Sequence, residues 1–139
     1  MLERSHDTAR INEVVNHPTV RPAVGLPELG EVDMAPLVSA PEHWFLMGEH
    51  GGFMLGWSAP EVREIHTFIL PEGRGKWAAQ ARDEMLAYAR EHGTKLLWTK
   101  IATGARHVEH FARQGGMQLT EEVIETFGVP YRIYRLELP

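Results

Sequence analysis

Residues 63–79 read REIHTFILPEGRGKWAA, and the two ends of this stretch favour different backbone states. Val62–Leu70 is rich in β-branched and aromatic residues and is closed by Pro71, which predicts a central strand. From about Arg74 to His92 the apolar residues Ala78, Ala81, Met85 and Tyr88 recur every three or four positions. That spacing stacks them on one face of a helix, which Gly93 should stop. A strand that passes through a glycine-bearing turn straight into a helix gathers free backbone amides and the positive end of the helix dipole at one point. Anionic groups, phosphates above all, suit such a turn, and Arg74 and Lys76 would add charge-assisted contacts. It is not a P-loop, because no Gly-Lys-Ser/Thr ending is present. Nor is it the dinucleotide fingerprint, whose three-glycine spacing is missing.

Working outward, the apolar runs WFLM and FMLGW between Trp44 and Ser58 flank Gly48 through Gly52, which predicts an antiparallel hairpin. Upstream, Ile11, Val14 and Val15 recur at helical spacing within Ser5–His17, with Ser5 or Asp7 available as a cap. Pro18 suits the opening of a short second helix before Gly25. Leu26–Pro41 carries prolines and no clear period, so an irregular crossing is expected, with one turn at Met34–Val38. Downstream, the pattern predicts a strand at Lys95–Lys100 and a helix at Thr103–Gln114 with Val108, Phe111 and Ala112 inward. Two last strands follow, Gln118–Phe127 and Tyr131–Glu137, around a Gly128-Val129-Pro130 turn. Trp44, Trp57 and Trp98 are expected in the core. The order gives an α/β (α+β) chain, a single domain over residues 1–139, with a mixed sheet in which only the middle strand-helix-strand unit needs a parallel crossover.

With 43% hydrophobic and 24% charged residues, the 139-residue chain has the apolar content to close one core. No cysteine is present, which excludes disulfides, thiolate metal sites and a cysteine nucleophile. A formal charge of −5 supplies no basic footprint and speaks against nucleic acid as partner. The N-terminal MLERSHDTAR has no signal-peptide core, and no run reaches membrane-spanning length, so a cytoplasmic protein is expected. His107 and His110, or Glu64 with His66, lack further ligands at a recognised spacing, and no metal is expected.

PEGRGKWAA resembles the acyl-CoA pyrophosphate loop of the GNAT acetyltransferase superfamily, Gln/Arg-x-x-Gly-x-Gly/Ala. Arg74 takes the first place and Ala79 the last, while Trp77 stands where the family has its middle glycine. The element order matches that fold over nearly the whole chain, with the first strand shortened or missing near Met1–Arg4, and the resemblance implies a mixed, mostly antiparallel central sheet flanked by helices on both faces. The resemblance implies acetyl-CoA as cosubstrate, held by Gly73, Arg74, Gly75, Lys76, Trp77, Ala78 and Ala79. It also implies a pantetheine arm paired along Phe68, Ile69 and Leu70, with Phe68 and Leu70 in the matching positions. Glu64 falls on the family's frequent catalytic glutamate, a general base for an attacking amine. Strand alternation puts His66 on the same face, as a second acid/base or acceptor-orienting group.

ARHVEHFARQGGM resembles the family's second cofactor-contacting helix, with Phe111, Gly116 and Met117 matching. Ala105 replaces its asparagine, and Ala112 replaces the tyrosine that many members use as general acid. That role stays open among Tyr131, Tyr134 and a histidine. INEVVNHPTVRPAVG, the Glu-x-His strand and LPEGRG together resemble small GNAT-like proteins of tailed bacteriophages, which implies a host cytoplasm. The function implied is acetyl transfer from acetyl-CoA to a primary amine of a small molecule or protein, in a chain for which a homodimer is open. The alternatives are a catalytically idle GNAT-fold binding or virion-associated module, and acylation of an aminoalkylated DNA base, against which the acidic balance counts.

Overall fold

A computed structural model of the chain describes residues 1–24 and 30–139. Seven strands form one sheet: β1 (Glu3–Arg4), β2 (Trp44–Gly48), β3 (Gly51–Ala59), β4 (Val62–Ile69), β5 (Leu96–Ala102), β6 (Gln118–Thr126) and β7 (Val129–Glu137). Their order is β1-β2-β3-β4-β5-β7-β6. Every neighbouring pair is antiparallel except β4 with β5. That parallel pair is the one that needs a crossover, and α3 (Lys76–Glu91) supplies it. The expected first strand is present but only two residues long.

Helices cover both faces, as the resemblance implied. On one face α1 (Thr8–Val15) and α2 (Ala35–Val38) bury Ile11, Val14, Val15 and Val38 against Phe45, Met47, Met54 and Phe68. Asp7 caps α1 through the Arg10 N–H. Asp33 accepts hydrogen bonds from the Ala35 N–H and the Asn12 amide, which hold its carboxyl below the usual range. On the other face α3 and α4 (Arg106–Gln114) pack Ala81, Met85, Ala89 and Ala112 against Leu46, Phe53, Leu55, Ile65, Leu97, Ile101 and Tyr134.

The structure corrects several sequence expectations. The short second helix is a single 3-10 turn, Arg21–Ala23, and its expected end at Gly25 falls outside the described residues, as does part of the irregular crossing. The last turn is Phe127-Gly128, both with positive φ, the two-residue geometry that matches strand twist, so Val129 and Pro130 already belong to β7. Trp57 is 51% exposed rather than core, next to a register shift in β3. Trp44, as expected, packs against the core, half-buried with the Arg63 guanidinium 3.3 Å from its ring centroid. Trp98 is also half-buried, its indole N–H donating to Ser58 Oγ at 2.9 Å.

In α4 the inward position expected for Val108 is taken by its neighbour: Val108 is 39% exposed while Glu109 is buried. The cause is nonlocal, since the fully buried Tyr134 donates its hydroxyl to Glu109 at 2.5 Å. Burial first, and the Glu109 carboxylate second, raise the Tyr134 phenol above its ordinary pKa. The folded state therefore holds this proton more tightly than the unfolded chain, and stability should be intact below about pH 10 and decline as pH rises through the folded value. Tyr134→Phe should cost about 1–3 kcal/mol in urea unfolding at neutral pH, because a buried carboxylate loses a donor. The same variant should show a flatter alkaline decline.

Candidate active site

The parallel pairing of β4 with β5 is short. It joins Val62–Glu64 to Leu96–Trp98 and ends there, although β4 runs on to Ile69 and β5 to Ala102. Thr99 marks the parting: its hydroxyl donates to the Ile65 carbonyl at 2.9 Å, taking the first backbone group beyond the ladder. Strand alternation then sorts the rest. The Leu70 N–H donates to His50 O at 2.9 Å, so Leu70, Phe68 and His66 turn their backbone groups toward β3. Ile65, Thr67 and Ile69 turn theirs toward β5, into the gap. The two positions matched by family resemblance to a cofactor arm, Phe68 and Leu70, are thus the ones committed to β3, and Thr67 and Ile69 flank the opening.

The gap leads into the turn singled out from sequence. Pro71–Gly73 forms a 3-10 turn, and Gly75 precedes α3 with φ +98° and no atom within 4 Å of where its Cβ would stand. This is a conformation open to glycine and costly for other residues. The first α-helical bond is Ala79 N–H to Gly75 O, which leaves the amides of Lys76, Trp77 and Ala78 without a partner inside the helix. Among the described residues no side chain caps them. Arg74 and Lys76 are exposed beside them. An anion of phosphate size would meet backbone N–H groups, a helix dipole and two cations at one place.

Trp77 departs from the glycine of the resembled loop, and its side chain turns away from the amides. The indole lies edge-on to His50, with centroids 5.2 Å apart. It fills the space over two glycines: a Cβ on Gly48 would stand 2.9 Å from its Cζ2, and one on Gly73 would stand 3.0 Å from its Cε3. Neither Gly48 nor His50 could be linked to Trp77 from local sequence, because the hairpin and the loop meet only in the folded sheet.

Glu64 and His66 point to the α1 and α2 face, along with Phe68. His66 Nε2 lies 3.2 Å from Glu64 Oε1, and the two side chains are 35% and 20% exposed. The pair is thus preorganised yet reachable from solvent. Trp98, register partner of Glu64, crosses β4 on this face to reach Ser58 in β3. Lys100 lies two residues farther along β5, its Nζ 5.4 Å from the ring centroid of Tyr131.

Phe111 sits apart from this pair, its ring 4.9 Å from the Arg82 guanidinium and its carbonyl accepting from Arg82 Nη1 at 3.1 Å. Of the phenols considered as acids, Tyr134 is committed to Glu109 on the opposite face of the sheet. Ala112 is buried in the core and offers no hydroxyl.

Several solved structures align with this one over nearly its whole length. The chain aligns over 100% of its length with YncA of Salmonella typhimurium, solved with its cofactor acetyl-CoA, covering 94% of that chain (TM-score 0.78, 17% identity). A GNAT-family protein of Desulfovibrio desulfuricans aligns over 100% of this chain and 99% of its own (TM-score 0.72, 19% identity). Spermidine N-acetyltransferase of Vibrio cholerae, solved with CoA and spermine, aligns over 99% and 95% (TM-score 0.76, 13% identity). This chain has the GNAT fold. No protein-family model and no curated protein matches its sequence. Among the described residues no helix is long and apolar enough to cross a membrane.

Within this GNAT fold the packing of Trp77 is directly testable. Gly73→Ala would place a methyl 2.4 Å from His50 Cβ as well as against the indole. It should lower stability by about 1–3 kcal/mol, read by thermal or urea unfolding.

Proposed function

We propose that this chain is an acetyl-CoA-dependent N-acetyltransferase acting on a primary amine, with Glu64 as general base. The observation that carries the reading is the release of β4 from β5 just beyond Glu64, in a strand that leads into the uncapped amides of α3. An extended pantetheine arm can take the place of the missing strand neighbour, exchanging hydrogen bonds with Thr67 and Ile69. Its pyrophosphate then meets the amides of Lys76, Trp77 and Ala78, with Arg74 and Lys76 alongside. Because the indole of Trp77 is directed at Gly48 and Gly73, the amide of that residue stays available to the anion. The fold-sharing proteins solved with acetyl-CoA or with CoA and spermine support this choice of cosubstrate.

The thioester would then lie near the point where the strands part, within reach of Glu64. A neutral amine adds to the thioester carbonyl, the Glu64 carboxylate takes the proton released from nitrogen, and the carbon–sulfur bond breaks as the tetrahedral adduct collapses. His66, 3.2 Å from the carboxylate, orients it and can pass the proton on to solvent. The thiolate is a fairly good leaving group, so the reaction tolerates alanine at position 112. Tyr131 is the phenol still eligible to protonate it.

Calorimetry should show CoA binding that Arg74→Ala with Lys76→Ala weakens by about tenfold or more. Glu64→Gln should keep that affinity while thiol release with an amine acceptor falls by about 10²–10⁴-fold. Absence of CoA binding would overturn the reading. Binding without thiol release from any amine, in the unsubstituted chain, would instead assign the fold here to a catalytically idle binding module.

A further inference from the structure

Between α4 and β7 lies an open pocket of about 420 Å³, lined by Thr103, Gly104, Arg106, Glu109, Arg113 and Arg132. Its size is that of small-molecule sites. Its charge is unusual for this molecule: three guanidiniums against one carboxylate, in a chain of formal charge −5. Arg106 and Arg113 lie seven residues apart on α4, about two turns, and so share a face with Glu109 between them. Arg132 comes from β7.

The one carboxylate is already engaged. Glu109 is 7% exposed, and its Oε1 accepts from the Tyr134 hydroxyl at 2.5 Å and from Arg132 Nη1 at 3.4 Å. Arg132 is thereby held at the wall while its side chain stays 40% exposed. Arg113 rests over the Tyr134 ring, 5.7 Å from its centroid. Neither Arg106 nor Arg113 has an ion-pair partner among the described residues. At the rim, Gly104 has φ +95° with open space beside it, and among the described residues no side chain caps the start of α4. Like charges gathered round a concavity repel one another, an arrangement that an anion relieves. Guanidinium forks suit phosphate oxygens in particular.

We infer that the pocket between α4 and β7 is an anion site for a small phosphorylated molecule, held by Arg106, Arg113 and Arg132. It is separate from the α3 turn and does not depend on the acyl-transfer reading. The buried Glu109 acts as a positioning residue, setting Arg132 against the ligand.

The test is a titration of the full ¹⁵N-labelled chain with inorganic pyrophosphate at constant ionic strength, following the Gly104 and Arg106 amides for this pocket and Gly75 and Lys76 for the α3 turn. The expected result is a saturable shift at Gly104 that Arg106→Gln with Arg113→Gln weakens by about tenfold or more, with the Gly75 response unchanged. Arg74→Gln with Lys76→Gln should leave the Gly104 response in place. Three results would overturn the assignment: no Gly104 shift up to about 10 mM pyrophosphate, a shift that the arginine variant leaves intact, or one that disappears with Arg74 and Lys76. Both variants spare the Glu109–Tyr134 hydrogen bond and keep the fold readable from the remaining amides.

Discussion

The candidate active site depends on a ladder that stops early. Parallel strands in a sheet normally pair along their whole overlap, because an unpaired buried amide or carbonyl costs free energy. Here β4 and β5 pair over three residues each and then separate, with the hydroxyl of Thr99 satisfying the Ile65 carbonyl at the parting. The strand edge beyond is held in place from its other side, where β3 pairs with the whole of β4. The gap is therefore a rigid feature of the sheet, backed by antiparallel hydrogen bonds and by the Phe68 contacts beneath α1.

That rigidity is spread over two layers that perform different tasks. The face beneath α1 and α2 presents Glu64 and His66, with the Trp98 indole crossing β4 beside them. The face beneath α3 and α4 supplies the larger core and fixes the helix whose N-terminus closes the gap. Because β4 contributes alternate residues to both layers, moving its register by one residue would exchange them. Glu64 would then point into the apolar core beneath α3 and α4, and Ile65 would face α1 and α2.

Local sequence made the elements legible, and with them the turn into α3. Strand and helix periods on either side of Pro71 located the junction, and a single glycine with room around it, Gly75, is what such a junction needs. The contacts that finish the site were not legible, because each joins residues far apart along the chain. Thr99 gives no sign in sequence that it will cap Ile65. Val108 looked like the apolar inner residue of α4 until Tyr134, from β7, drew Glu109 inward. Likewise, which of Thr67, Phe68, Ile69 and Leu70 faces the gap depends on the His50 carbonyl across the hairpin. One residue of parity decides it, and the apolar pattern of β4 carries no record of that choice.

The indole of Trp77 has a consequence for how this sequence can change. It occupies one volume with two empty side-chain positions, Gly48 in the hairpin and Gly73 in the turn. Replacing the tryptophan by a glycine would leave a hole under the turn, while enlarging either glycine first would meet the ring. The three positions are therefore coupled, and at position 73 a smaller residue 77 would not be enough, since a Cβ there also meets His50 Cβ at 2.4 Å. A loop built with a glycine at that point and one built with this tryptophan are thus separate packing solutions for the space over Gly48 and Gly73.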